Sequence, residues 1–235
     1  MNHTNPLLQI SGYPLFDKIQ IEHILPAVEE TLGKLTEAVA ALESREKGSF
    51  EEIISPLEKI EYTTHRVWGP VSHLMGVKNS PELRTVYEEV LPKIIDFGLR
   101  LRQSENIYRA LVDLKEGAEW NNLDSVKKRI VEKRILDAKH SGIGLEGEKK
   151  KRFQEIAQRL SSISTQFSNN VLDSTKEFHL DLNTKDEIDG LPPTLRSLAA
   201  QNYQTANPES TANPEASATT PHAVIGETEG HGVST

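Results

Sequence analysis

The chain of 235 residues has no cysteine, which excludes disulfides and thiolate metal sites and fits a reducing compartment. It has no long hydrophobic run, and nothing approaches the roughly 18 apolar residues that a membrane span needs. The first residues, Met1-Asn2-His3-Thr4-Asn5-Pro6, show neither the apolar core of a signal peptide nor an Arg-rich amphipathic stretch. Excess positive charge is absent too. The net charge is −8, which disfavours nucleic acid and anionic membranes as partners. The basic clusters Lys127-Lys128-Arg129 and Lys149-Lys150-Lys151-Arg152 sit among acids and read as solvated helix faces. The cytoplasm is the expected location.

Catalytic signatures are also lacking. None of the eight histidines is followed by Glu, and no two are spaced by four, so the His-Glu-x-x-His zinc motif has no place to form. The nearest approach is Glu61, His65 and His73, divided by Gly69-Pro70. His222 and His231 lie in a low-complexity stretch. No Gly-x-Ser-x-Gly elbow is present. Gly142-Ile143-Gly144-Leu145-Glu146-Gly147 follows a helical pattern and not a strand, so it reads as a helix–helix turn. The carboxylate pairs Glu51-Glu52 and Glu88-Glu89 read as caps or surface pairs, and Trp68 and Trp120 as core anchors. No catalytic, cofactor-binding or metal-ligating residue is assigned.

What is present is helical periodicity. Residues 1–20 read as an extended arm, with Gly12 and Pro14 among isolated apolar residues. Leu25, Val28, Leu32, Leu35, Val39 and Leu42 then step by three and four. Ser49-Phe50-Glu51-Glu52 is a capping box opening a second helix along Ile53, Leu57, Ile60, Thr64 and Val67, which Gly69-Pro70 is expected to kink or break. A further start at Ser80-Pro81 leads a stripe from Leu83 to Leu101, with a kink expected at Pro92. Shorter helices are expected over about 104–115 and 123–140. A long one begins near Glu146 and carries Phe153, Ile156, Ala157, Leu160, Ile163, Phe167, Val171 and Leu172. Phe178-His179-Leu180-Asp181-Leu182 alternates with period two, a strand near 177–182 with no partner in sight. A short helix is expected over about 193–202. Beyond it, Thr-Ala-Asn-Pro-Glu at 205–209 repeats at 211–215, and the composition predicts disorder. The fold class is all-α, divided into the arm (1–20), a helical lobe (21–203) and a disordered tail or interrupted loop (204–235).

Several stretches, in order, resemble the N-terminal part of the oligopeptidase A branch of the thimet oligopeptidase family of zinc metallopeptidases. They are Asn5-Pro6-Leu7-Leu8, Phe16-Asp17-Lys18-Ile19, and Glu22-His23-Ile24-Leu25-Pro26-Ala27-Val28. Then follow Pro70-Val71-Ser72-His73-Leu74, Val77 through Arg84, and Ser141 through Leu145. The last are Arg159-Leu160-Ser161 and Gln166 through Asp173. The resemblance runs from Asn5 to about Leu182. It implies the non-catalytic lobe of a two-lobed helical peptidase that cuts short peptides, its zinc held by a His-Glu-x-x-His helix in a C-terminal lobe outside this chain. It implies a further strand after a variable loop, and a start close to the family's own, without an organelle-targeting extension. The chain is therefore expected to be the front part of such a peptidase, inactive alone, with short peptides and the catalytic lobe as partners. An autonomous helical module that binds peptides or proteins is the alternative.

Overall fold

A computed structural model describes residues 5–45, 47–182, 184–207 and 223–225. The helices are α1 (Ile24–Glu43), α2 (Phe50–Val77), α3 (Pro81–Arg102), α4 (Glu105–Glu116), α5 (Ser125–His140), α6 (Gly147–Glu177) and α7 (Pro193–Ala206). The strands are β1 (Leu180–Leu182) and β2 (Ala223–Ile225). The fold is all-α, as the periodicity predicts. The chain divides into two units, Met1–Leu160 and Ser161–Thr235, and the division falls within α6.

The first unit is built on two apolar clusters. The end of α1 meets the start of α2, the end of α3, and α4 and α5 through Val39, Ile53, Ile60, Leu111 and Val131. The start of α1 meets the second half of α2 and the first half of α3 through Val28, Val67, Val71, Leu83 and Val90. Side chains cap the starts of four of these helices. The Ser49 amide donates to Glu52 Oε2 at 2.9 Å while Glu52 N donates back to Ser49 Oγ, closing the expected box at α2. Ser80, Ser104 and Asp124 cap α3, α4 and α5, each accepting from the amide three residues on.

The expected break at Gly69-Pro70 does not occur, for α2 continues through both Pro56 and Pro70. An internal proline costs a helix about 3 kcal/mol or more. Pro70 is buried beside Val67 and Val71, and that packing holds the helix together across the missing amide. Helix α3 likewise continues through Pro92.

Residues 5–23 run through three short 3-10 turns and dock on the helices. Leu7 is buried in the second cluster, and Asn5 Nδ2 donates to the His23 carbonyl at 2.7 Å. Arg66 on α2 donates to the carbonyls of Ile10 and Gly12 at 3.0 and 2.8 Å, holding the irregular backbone that has no ladder of its own.

In the second unit a small core of Leu182, Ile188 and Ala199 forms with Leu191 against it. The strand expected to be unpaired has a partner. Leu180, Asp181 and Leu182 pair antiparallel with Ile225, Val224 and Ala223. Three residues beyond a Pro- and Thr-rich stretch carry too short an alternation to announce a strand locally. The expected disorder over 204–235 falls largely on residues 208–222 and 226–235, outside the described residues. Residues 204–206 close α7 and 223–225 form β2.

Candidate functional site

The groups that could carry chemistry are separated by the fold or already engaged. Glu61 is held by Arg134 on α5, whose Nη2 donates to Oε2 at 2.8 Å, and the pairing raises the Arg134 pKa. His65, one turn on, is exposed and lies against Gly69. His73 packs on the Phe16 ring at 5.2 Å between centroids. Among the described residues, no three His, Asp or Glu side chains converge on a point that a metal could occupy. His222 and His231 lie outside the described residues.

The basic residues around Trp120 are accounted for by neighbours. Lys127 Nζ donates to Glu51 at 3.0 Å and sits 4.8 Å from the centre of the Phe50 ring, and Lys115 and Lys128 each lie 5.8 Å from the Trp120 ring. The Lys127 contact lowers the Glu51 pKa, and the Ser49 amide lowers that of Glu52. Trp120 is half-buried against the first cluster, and Trp68 stacks on Tyr87 at 4.7 Å in the second. The turn between α5 and α6 needs its glycine. Gly142 has φ +80°, and a Cβ there would come within 2.7 Å of Leu145 Cδ1.

A broad open groove of about 690 Å3 lies between α1, α3 and the start of α6. Lys93, Arg100 and Lys150 alternate with Glu43, Asp96 and Glu105 along it, so its charges compensate one another. Among the described residues, no helix is long and apolar enough to cross a membrane.

The least expected surface is α6 itself. None of its residues is buried, though it is the longest helix described. A surface helix ordinarily turns its apolar stripe to the core and its polar face to water. In α6 the apolar residues are divided, with Phe153, Ala157 and Leu172 half-buried and a longer series exposed. Gln158 faces α3, donating to Asp96 Oδ1 at 2.7 Å and to the Pro92 carbonyl at 3.2 Å. Ser161, Ser162, Thr165 and Asn169 are half-buried. Meanwhile Ile156, Leu160, Ile163, Phe167 and Val171 are 43, 60, 43, 69 and 50% exposed. The spacing of the stripe is plain in the sequence, but spacing cannot tell which way a stripe faces.

A unit of helices capped in this manner, with irregular N-terminal residues strapped to its second helix, defines a helical lobe. Residues 28–150 match the family described as neurolysin/thimet oligopeptidase, N-terminal domain, and the chain belongs to that family. It is 42% identical over 198 residues to the probable cytosolic oligopeptidase A of Arabidopsis thaliana, matching 84% of this chain and 28% of that protein. It is 40% identical to the organellar oligopeptidase A of the same plant, over 84% of this chain and 25% of that protein. It is 39% identical to oligopeptidase A of Escherichia coli strain K12, over 86% of this chain and 29% of that protein. The chain thus spans under a third of the length of these relatives.

Proposed function

We propose that this chain is the non-catalytic N-terminal lobe of an oligopeptidase A-like zinc metallo-endopeptidase that degrades short peptides in the cytoplasm, and that it hydrolyses nothing alone. Its match to the family's N-terminal domain carries the reading. Zinc in such a peptidase activates the attacking water. The described residues offer it no converging donor set, and no hydrolytic step is assigned to them. The lobe's part is to help wall a channel that admits short peptides, with the catalytic lobe as its partner.

The test is an assay of the purified chain with a fluorogenic short peptide and added zinc, with and without chelator. The expected result is no turnover in either condition. Chelator-sensitive turnover by the pure chain overturns the reading. A second reading, a helical module that binds a peptide or protein in its own right, is favoured by one observation, the apolar stripe of α6 turned to solvent.

A further inference from the structure

We propose that Asp189-Gly190 is a site of spontaneous isoaspartate formation, and that the change loosens the second unit. Aspartate isomerises when the amide nitrogen of the next residue attacks its side-chain carboxyl carbon. That attack is easiest where the next residue has no side chain, its amide is not held in a hydrogen bond, and the backbone is outside a helix. The sequence contains one Asp-Gly step, at 189–190, and no Asn-Gly step. Asp189 and Gly190 are both exposed and lie in the turns between β1 and α7. Asp189 N donates to the Asp186 carbonyl at 3.3 Å and Leu191 N to the Ile188 carbonyl at 3.2 Å. Between them, the Gly190 amide donates to no carbonyl among the described residues. Gly190 has φ +80°, and a Cβ there would meet open space, so nothing crowds its nitrogen. The two Asp-Ser steps differ. The Asp124 carboxylate is engaged at the start of α5, accepting from the Lys127 amide at 2.8 Å. Asp173 and Ser174 lie inside α6, where the attacking amide is committed to the helix.

The reaction balances without a co-reactant. The Gly190 nitrogen bonds to Asp189 Cγ, a carboxyl oxygen leaves as water with the amide proton, and a succinimide ring closes. Water then adds to either ring carbonyl. At Cγ it restores aspartate. At the main-chain carbonyl it breaks the bond to the Gly190 nitrogen, and the chain then runs through the former side chain. One water leaves, one enters, and nothing is oxidised or reduced. The product has the same mass, one more carbon in its backbone and a freed main-chain carboxylate. That carbon falls between Ile188 and Leu191, both of which pack in the small core with Leu182 and Ala199. The hydrogen bond from Leu191 N to the Ile188 carbonyl spans the altered peptide, so the longer backbone pulls that turn and its two apolar side chains apart.

The full chain is aged at physiological pH and temperature, then digested with a protease that cuts before aspartate and not before isoaspartate. Mass spectrometry of the fragments reads the site. Isoaspartate should appear first at Asp189, at a rate within about tenfold of that in the urea-unfolded chain. A carboxyl methyltransferase specific for isoaspartate should label the aged chain far more than aged Asp189→Glu, in which a larger ring closes much more slowly. Hydrogen exchange of the isolated isoaspartyl form should show α7 and β1 opening more readily than in fresh chain, with α1, α2 and α3 unchanged. Formation at Asp189 slowed more than about tenfold by folding overturns the site, as does equal labelling of the variant. Unchanged exchange in α7 and β1 overturns the loosening.

Discussion

Ser49 shows how one side chain sets a boundary. Its hydroxyl accepts from the Glu52 amide, and the Glu52 carboxylate accepts from the Ser49 amide. Ser49→Ala removes half of that exchange and should cost about 1 kcal/mol, read as a lower denaturation midpoint with an unchanged slope. The carboxylates of Glu51, Glu52 and Glu82 all titrate below their ordinary value of 4.5, because Lys127, the Ser49 amide, and the Glu82 amide with Ser80 favour their charged forms. A folded pKa below the unfolded one means that the unfolded chain binds protons first as the pH falls. Their contribution to stability is therefore complete above the unfolded value and is lost as pH drops through the folded values. Melting temperature should be level near neutrality and fall below about pH 4.5, and Glu52→Gln should flatten that fall. In the core, Ile60 is buried in the first cluster, and Ile60→Ala should cost about 2–5 kcal/mol, read by denaturant unfolding.

Elements bring in what single residues cannot. Gly69-Pro70 is a signal to kink or break α2, yet the helix runs on through it, as it does through Pro56, and α3 is continuous across Pro92, where a kink is expected. Burial of Val67, Pro70 and Val71 side by side outweighs a local preference that the sequence states plainly. The turn between α5 and α6 is the opposite case, in which local preference and fold agree. Gly142 sits at positive φ with Leu145 closing over it, so Gly142→Ala is strained both in backbone and in space. It should cost about 1–3 kcal/mol and lower the melting temperature, whereas the same change at Gly144, which has open space, should cost much less.

At the scale of the whole molecule, stability is unequal. The first unit has two clusters that join five helices, while the small cluster of the second joins only Leu182, Ile188 and Ala199 among the described residues. Hydrogen exchange should show α1, α2 and α3 opening only with global unfolding. The amides of α7 and β1 should exchange at a lower free energy. Uniform protection across both units would contradict this.

Most helices are legible in the sequence, because an amphipathic helix writes its buried face into the spacing of its apolar residues. Val28, Leu35 and Val39, or Ile53, Leu57 and Ile60, fall on core faces as their spacing predicts. The box at Ser49 and the start at Ser80-Pro81 are legible for a related reason, since donor and acceptor lie within one turn of chain. Family membership is legible in the order of short segments along the chain. Only the tertiary structure decides the rest. It carries α2 through Pro70 and gives β1 its partner in β2, because burial and strand pairing join residues distant in sequence. It also leaves Ile156, Leu160, Ile163, Phe167 and Val171 of α6 exposed. Periodicity defines a stripe, but only the position of the neighbouring helices determines whether that stripe meets a core or is left for a partner.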